Sequence, residues 1–244
     1  MANNSDQLIG VSLMRFGERA SNDPDAGLKK EDKGERYLKD LVRMEFDQYP
    51  FDKVFYAPSR ICQETARALA KYSKECVGVT CDRLIEERPE IHFQSEGLDT
   101  WRPFLQNLGE MRTLADLAQA EEKMIKGGFV PEGFLDREGR RIFEFLERSI
   151  ADFNDTSMLL SIMHSPLPES VALWLWRAKI HLFFRDAKKL EEIPALDFAD
   201  HYLIVFKGKK FDRLIYKGLQ EKLVSWRDNE TFKMRLRGGT GGLR

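Results

Sequence analysis

Three apolar runs in this sequence end at side chains that bind anions or transfer protons. The first run ends at Arg15 and Phe16, the second is followed by Ser59 and Arg60, and the third is followed by His164. Ligands of open α/β sheets gather at the carboxyl ends of strands. A guanidinium, an imidazole and the N–H groups at the start of a helix all favour a bound anion. The pattern therefore indicates an anion-binding site.

Each of these residues also has an interpretation that involves no ligand. Arg15 could form a surface ion pair, and His164 could be a hydrogen-bonded structural histidine. Ser59 could simply cap the helix that follows it. Because Arg15 lies at a strand end beside Gly17, we favour the anion site for this residue. For His164 the residues alone leave both interpretations open.

Short apolar strands alternating with amphipathic helices must position these side chains. Strands are predicted at 8–15, 52–57, 77–80 and 157–163, and helices at 34–49, 60–72, 137–153 and 168–184. The runs 202–206 and 211–216 are typical of a hairpin. This order predicts an α/β fold, a three-layer sandwich with a central mixed, mostly parallel sheet, a helical insertion and a C-terminal β-hairpin.

The length of 244 residues fits one large domain, which we place at residues 1–230. A mostly helical stretch at about 98–126 is predicted to be the insertion. Residues 231–244 are basic and rich in glycine, and a flexible tail is expected because glycine-rich ends rarely offset their ordering entropy.

The composition excludes several classes of function. The 39 basic and 40 acidic residues give a net charge of -1, so no overall field recruits nucleic acid or an anionic membrane. No apolar stretch is long enough to span a bilayer, and the first residues lack the basic region of a secretory signal. The 3 cysteines and the scattered histidines match no metal-ligand spacing. We expect a cytoplasmic protein without a metal ion or cofactor.

Three landmarks in the sequence carry a resemblance to a known family. They are LMRFGE at 13–18, YAPSRICQETA at 56–66 and LLSIMHSP at 159–166. In this order they resemble the motifs of the histidine phosphatase superfamily, which includes the phosphoglycerate mutases. The resemblance covers roughly residues 8–218 and is more specific for the fold than for the activity.

The resemblance implies a phosphohistidine mechanism in which arginines and a second histidine hold the phosphoryl oxygens. Arg15 occupies the first arginine position and His164 the position of the second histidine. Phe16 occupies the position of the nucleophilic histidine, and a benzyl ring has no nitrogen that could bond to phosphorus. Ile61 occupies the second arginine position. Its neighbour Arg60 could supply the missing charge only if the turn is locally shifted.

A carboxylate that protonates the leaving group is also implied by the resemblance. Glu87 fits this position, and Glu86 is an equally defensible choice. Without the resemblance, both residues belong to a charge-rich turn in which carboxylates are usually solvated.

The sequence therefore predicts a phosphatase-like protein that is catalytically impaired but still binds a phosphorylated small molecule or phosphoprotein through Arg15, Arg60 and His164. An alternative is an active phosphomonoester hydrolase that uses His164 and Glu87. A second alternative is a protein-interaction module whose contact surface is the predicted insertion or the aromatic helix that carries Trp174 and Trp176. The sequence does not determine the oligomeric state.

Overall fold

The structure is a computed structural model, and it describes residues 8–21, 26–31, 33–42, 51–72, 81–93, 98–153, 157–178, 189–207 and 210–215. The strands within these residues are β1 (Leu8–Arg15), β2 (Lys53–Tyr56), β3 (Ile85–Glu87), β4 (Ser157–Met163), β5 (His201–Lys207) and β6 (Lys210–Ile215). The helices are α1 (Glu35–Leu41), α2 (Arg60–Tyr72), α3 (Cys81–Leu84), α4 (Leu98–Asn107), α5 (Leu114–Lys126), α6 (Phe134–Ser149) and α7 (Leu167–Arg177).

The strands form one mixed sheet in the order β3-β2-β4-β1-β5-β6. The pairs β1–β4, β2–β4 and β2–β3 are parallel, whereas β5 runs antiparallel to both β1 and β6. Only β5 is therefore reversed, and β5 and β6 form the predicted C-terminal hairpin. The predicted α/β fold with a mixed, mostly parallel sheet is confirmed.

Strand β1 lies near the middle of the sheet, and its sequence shows why. Every residue from Leu8 to Met14 is buried, with Arg15 the first to reach partial exposure. A strand buried on both faces needs a nearly continuous apolar run, as in parallel sheets covered by helices on both sides. The charged side chain at the end of the run therefore lies at the rim of the core, where the sheet stops.

Helices cover both faces of the sheet. Successive side chains of a strand point to opposite faces. In β2, the Phe55 ring lies 5.8 Å from Phe145 of α6, whereas the Tyr56 hydroxyl accepts a hydrogen bond from Gln63 of α2. Helices α2 and α6 therefore lie on opposite sides, which gives the predicted three layers.

Helix α6 lies unusually close to α7 at one position. A side-chain carbon added at Gly139 would lie 2.2 Å from the carbonyl oxygen of Ser170, so only glycine permits this approach. The Trp174 ring of α7 packs at 5.1 Å from Phe143 of α6. Much of the aromatic helix is thus used inside the protein.

The predicted helical insertion is present as two helices, α4 and α5. Apolar residues recur at helical spacing between 105 and 118 as they would in one continuous helix, but the structure has a break there. Gly109 adopts a left-handed φ of 64°, and Thr113 begins α5 with a reciprocal capping box to Asp116. These local signals end one helix and start the next.

Other predictions agree closely with the described residues or lie outside them. Helix 60–72 and strand 157–163 have the predicted bounds, whereas residues 85–87 form a strand and not the expected turn. The strand predicted at 77–80, the later parts of the helices predicted at 34–49 and 168–184, and the tail at 231–244 lie outside the described residues. Among the described helices, none combines the length and apolar character that crossing a bilayer requires.

Candidate functional site

Phe16 and His164 lie side by side at the carboxyl ends of β1 and β4. These strands are parallel neighbours in which Arg15 pairs with Met163, so the residues that follow them must meet. The two ring centroids are 4.9 Å apart in an edge-to-face arrangement. Phe16 is only 7% exposed and donates its backbone N–H to the carbonyl oxygen of Met163. The Phe16 ring therefore lies in the hydrophobic core and forms one wall of the candidate site.

The Arg15 guanidinium is held against the segment that precedes β5. Its Nη1 donates to the carbonyl oxygen of Leu196 at 2.7 Å, and its carbon Cζ lies 4.4 Å from the centre of the Phe198 ring. The N–H of Ala199, which has a positive φ of 60°, reaches the carbonyl oxygens of Arg15 and Phe16. This strained residue fastens the segment to the end of β1.

Glu169 of α7 helps to hold the segment that binds Arg15, and the sequence analysis did not identify it. The carboxyl group is fully buried, and its Oε1 accepts hydrogen bonds from the N–H of Leu196 and the hydroxyl of Ser165. Burial raises the pKa of Glu169, although the Arg15 charge acts against this rise. Glu169 thereby fixes the residue whose carbonyl oxygen receives the Arg15 hydrogen bond.

Arg19 is a second cation of the site that the sequence analysis did not identify. Its Cζ lies 5.0 Å from the centre of the Phe16 ring. The preceding residue, Glu18, points elsewhere and forms an ion pair with Lys29 at 3.2 Å. Two guanidinium groups therefore approach the aromatic residues at the end of β1, one from each side of Gly17 in the sequence.

The start of α2 contributes a hydroxyl group to the site. Ser59 Oγ lies 2.9 Å from His164 Nε2, a hydrogen bond whose donor depends on the imidazole tautomer. The same oxygen accepts the N–H of Cys62 at 3.3 Å, which confirms the predicted helix cap. Thr65 Oγ1 accepts the N–H of Gly17 at 3.1 Å and so ties α2 to the loop after β1.

The two candidates for a second arginine on α2 differ in environment. Ile61 is 1% exposed and supplies no charge. The side chain of Arg60 is 64% exposed, and its Nε donates to Glu64 Oε1 at 2.8 Å. Arg60 thus lies on the outer side of the helix start and already has a carboxylate partner.

The structure separates the two candidate carboxylates. Glu86 binds Lys53 at 2.9 Å and also pairs with Arg88, so its charge is neutralised. Glu87 is exposed and lies opposite Tyr56 in the pairing of β3 with β2, on the face that carries α2. Glu87 therefore lies on the side of the sheet that carries α2, whereas Glu86 pairs with Phe55, which packs against α6.

His164 is electrically neutral at pH 7. Burial lowers the pKa of its imidazole to about 3, and His92, Arg19 and Arg15 act in the same direction. The His92 ring lies 5.5 Å away. The site therefore holds two permanent cations around a histidine that they help to keep uncharged. Within the described ranges, no group of three His, Cys, Asp or Glu side chains could bind a metal ion.

Comparison with known proteins gives a likeness of fold. No protein-family model and no curated protein matches the sequence. The structure is similar to phosphoglycerate mutase from Bacillus anthracis str. Sterne, with a TM-score of 0.52, 17% identity and 92% and 99% of the two chains covered. It is also similar to phosphoserine phosphatase from Entamoeba histolytica in complex with 3-phosphoglyceric acid, with a TM-score of 0.50, 13% identity and coverage of 87% and 98%. The chain therefore shares the overall fold of these two proteins.

Proposed function

We propose that this chain is a catalytically impaired member of the histidine phosphatase superfamily that binds a phosphorylated ligand. The observation that carries the proposal is the pair formed by Phe16 and His164, with the Arg15 guanidinium at the same strand end. The groups that bind an anion are present, whereas the position from which a covalent nucleophile would attack holds a benzyl ring.

Electrostatics support binding of an anion. Among the described residues Arg15 forms no ion pair, although its charge interacts at longer range with Glu169 and Asp197, and its Nε is buried without a hydrogen-bond partner. A buried donor that lacks a partner costs about 1–3 kcal/mol. A phosphoryl oxygen could accept that hydrogen bond, and charge-assisted bonds of this kind are stronger than neutral ones.

The ligand class follows from the geometry and the fold together. The similar structures include a phosphoglycerate mutase and a phosphoserine phosphatase, the second with 3-phosphoglyceric acid bound. A phosphate monoester offers several oxygens to Arg15, to Ser59 and to the N–H groups at the start of α2. We therefore infer a phosphorylated small molecule or phosphorylated side chain as the ligand.

The proposed loss of catalytic activity follows from the two side chains, Phe16 and His164, that lie where the ligand would bind. Phe16 has no lone pair and presents apolar surface where a nucleophile would approach. His164 has the required nitrogen, but a pKa of about 3 makes it a weak base. Removing a covalent nucleophile lowers rates by several powers of ten, whereas binding groups act separately.

Hydrolysis of para-nitrophenyl phosphate tests the proposal. We expect no turnover above background for the wild type and measurable turnover for Phe16→His. The matched control is Phe16→Gln, which makes the position polar without supplying a nucleophile. Activity in Phe16→His alone would show that the rest of the site is preserved.

One observation favours the alternative of an active hydrolase. His164 is neutral, so one of its ring nitrogens has a lone pair, and its Nε2 lies 2.9 Å from the Ser59 hydroxyl oxygen. In this alternative His164 acts as nucleophile or base, Arg15 and Arg60 hold the ester, and Glu87 protonates the leaving group. Clear wild-type turnover that His164→Ala abolishes would establish it and overturn the impaired-enzyme proposal.

A further inference from the structure

We propose that the candidate site selects phosphate monoesters of an aromatic hydroxyl group, and that Phe93 is the residue that recognises the aromatic ring. The inference rests on the proposed function, because it names the ligand class of the same site. In an aryl phosphate only one oxygen atom separates the ring from phosphorus. A site for such a ligand must therefore present apolar surface directly beside the groups that hold the phosphoryl oxygens.

The first support is that aromatic rings from four segments meet at one edge of the sheet. Phe16 and His164 directly follow the parallel strands β1 and β4, and Phe93 follows the parallel strand β3 after one helical turn. Phe198 precedes β5, which is antiparallel and so starts at the same edge. The His164 ring lies 4.9 Å from Phe16, 5.5 Å from His92 and 5.7 Å from Phe93. A phosphoryl group beside His164 therefore has aromatic surface next to its ester oxygen.

The second support is that Phe93 keeps exposed surface that the other phenylalanine rings of the site lack. Phe16 is only 7% exposed, and the Phe198 ring is covered by the Arg15 guanidinium, whose Cζ lies 4.4 Å from its centre. Phe93 is partly exposed, and its ring is held at 4.8 Å from the buried ring of Trp101. Aromatic rings attract one another in offset or edge-to-face arrangements, and the remaining surface of Phe93 gives a ligand ring such a partner.

The third support is that the backbone carrying Phe93 is held in place without a ligand. Arg141 of α6 donates to the carbonyl oxygens of Glu90 and His92, the second at 3.0 Å. Within the segment, the N–H of His92 donates to the carbonyl oxygen of Pro89 at 3.1 Å. Binding therefore requires little ordering of the main chain, and more of the interaction energy appears as affinity.

The fourth support is the charge balance of the arginines that border this segment. Arg88 pairs with Glu86, and Arg141 pairs with Glu138 at 2.7 Å. A carboxylate on the esterified group, as in 3-phosphoglyceric acid, is bound best by a cation that has no other partner. Both arginines already have carboxylate partners. An uncharged ring needs no cation, and it is stabilised by the removal of apolar surface from water.

Calorimetric titration of the full chain with phenyl phosphate, inorganic phosphate and 3-phosphoglyceric acid tests the inference. We expect the wild type to bind phenyl phosphate about 10-fold or more tightly than either other ligand, because burial of the ring adds to the phosphoryl contacts. Phe93→Leu keeps an apolar side chain but loses the flat ring. It should reduce this advantage at least about 3-fold and leave the affinity for inorganic phosphate unchanged.

The matched control is Phe129→Leu, the same substitution at a position that is 58% exposed between α5 and α6. It should leave all three affinities unchanged. A blocked phosphotyrosine tripeptide distinguishes two sources of the same chemistry. Binding as tight as that of phenyl phosphate would indicate a phosphorylated side chain, and binding at least about 10-fold weaker would indicate a small aryl phosphate.

The outcomes separate this inference from the proposed function. If the wild type binds inorganic phosphate, but binds phenyl phosphate no more tightly than 3-phosphoglyceric acid, the inference is overturned and the proposed function stands. Equal effects of Phe93→Leu and Phe129→Leu would do the same. No binding of any of the three ligands at millimolar concentration would overturn both. Because the comparison of ligands uses the wild type, it decides the inference even if Phe93→Leu does not fold.

Discussion

Two clusters in this molecule, one around Arg177 and one formed by Arg15 and Arg19, contain partly buried arginines but are opposite in charge balance. Arg177 of α7 donates to Glu121 at 2.7 Å and to Asp136 at 2.9 Å, and Glu121 also accepts the N–H of Leu135. The other group, Arg15 and Arg19, has no carboxylate within ion-pair distance among the described residues.

The difference in charge balance separates a network that stabilises the fold from a candidate anion-binding site. Burial opposes the charge of Arg177, but its two carboxylate partners raise its pKa, and the network joins α5, α6 and α7. A network in which the arginine is already paired with carboxylates stabilises the fold and has no unpaired charge that could bind a ligand. At the end of β1 neither cation has an ion-pair partner among the described residues, and the histidine beside them is neutral, which favours an anion.

The largest expected effect is the loss of stability when the ion pair between Arg177 and Glu121 is removed. Glu121 is 2% exposed, so Glu121→Ala removes one of the two carboxylate partners of Arg177 and leaves the buried N–H of Leu135 without its acceptor. We expect the free energy of unfolding to fall by about 3 kcal/mol, measured by urea denaturation. Arg140→Ala, which breaks an exposed pair with Glu144, is the control and should cost no more than about 0.5 kcal/mol. Equal effects of the two variants would contradict the distinction.

The next effect is the response of stability to phosphate. At a phosphate concentration about 100 times the Kd, the wild type should gain about 2.7 kcal/mol in unfolding free energy. Arg15→Gln should lose this gain, whereas Arg177→Gln should be less stable throughout but keep it. Denaturation of the three proteins with and without phosphate measures all six values. A phosphate response lost in Arg177→Gln but kept in Arg15→Gln would reverse the assignment of the two groups.

The smallest effect is on pH dependence. Because folding lowers the pKa of His164 from 6.5 to about 3, the stability that neutral His164 provides is complete above about pH 6.5 and is lost as the pH falls toward about 3. Between about pH 7.5 and 5.5 the wild type should therefore lose roughly 1 kcal/mol more than His164→Gln. Identical pH profiles of the two proteins would show that His164 is not held neutral.

Much of the fold could be predicted because its signals are local. The run from Ser157 to Met163 is apolar and bounded by polar residues, and α2 has a serine cap followed by a regular apolar face, so their bounds were predictable. The break at Gly109 was missed because apolar residues continue at helical spacing on both sides of it, and the pattern hides the change of direction.

The site was only partly predictable because several of its residues are positioned by distant contacts. Arg19 belongs to a polar loop, and only the bridge to Leu28 and the contact with Phe16 place its charge in the site. Glu169 reads as an ordinary polar residue in the first turn of a helix, and its burial depends on Leu196 from another part of the chain. By contrast, Phe16 and His164 follow adjacent strands, so their meeting followed from the sheet.

The measurement that tests the central claim most directly is a crystal structure of the wild-type chain with tungstate, located by the anomalous signal of tungsten. We predict one ion within hydrogen-bonding distance of the Arg15 and Arg19 guanidinium groups, beside an unmodified His164 and against the Phe16 ring. The account would be contradicted by crystals in which this position holds no ion at a tungstate concentration that saturates the protein in solution.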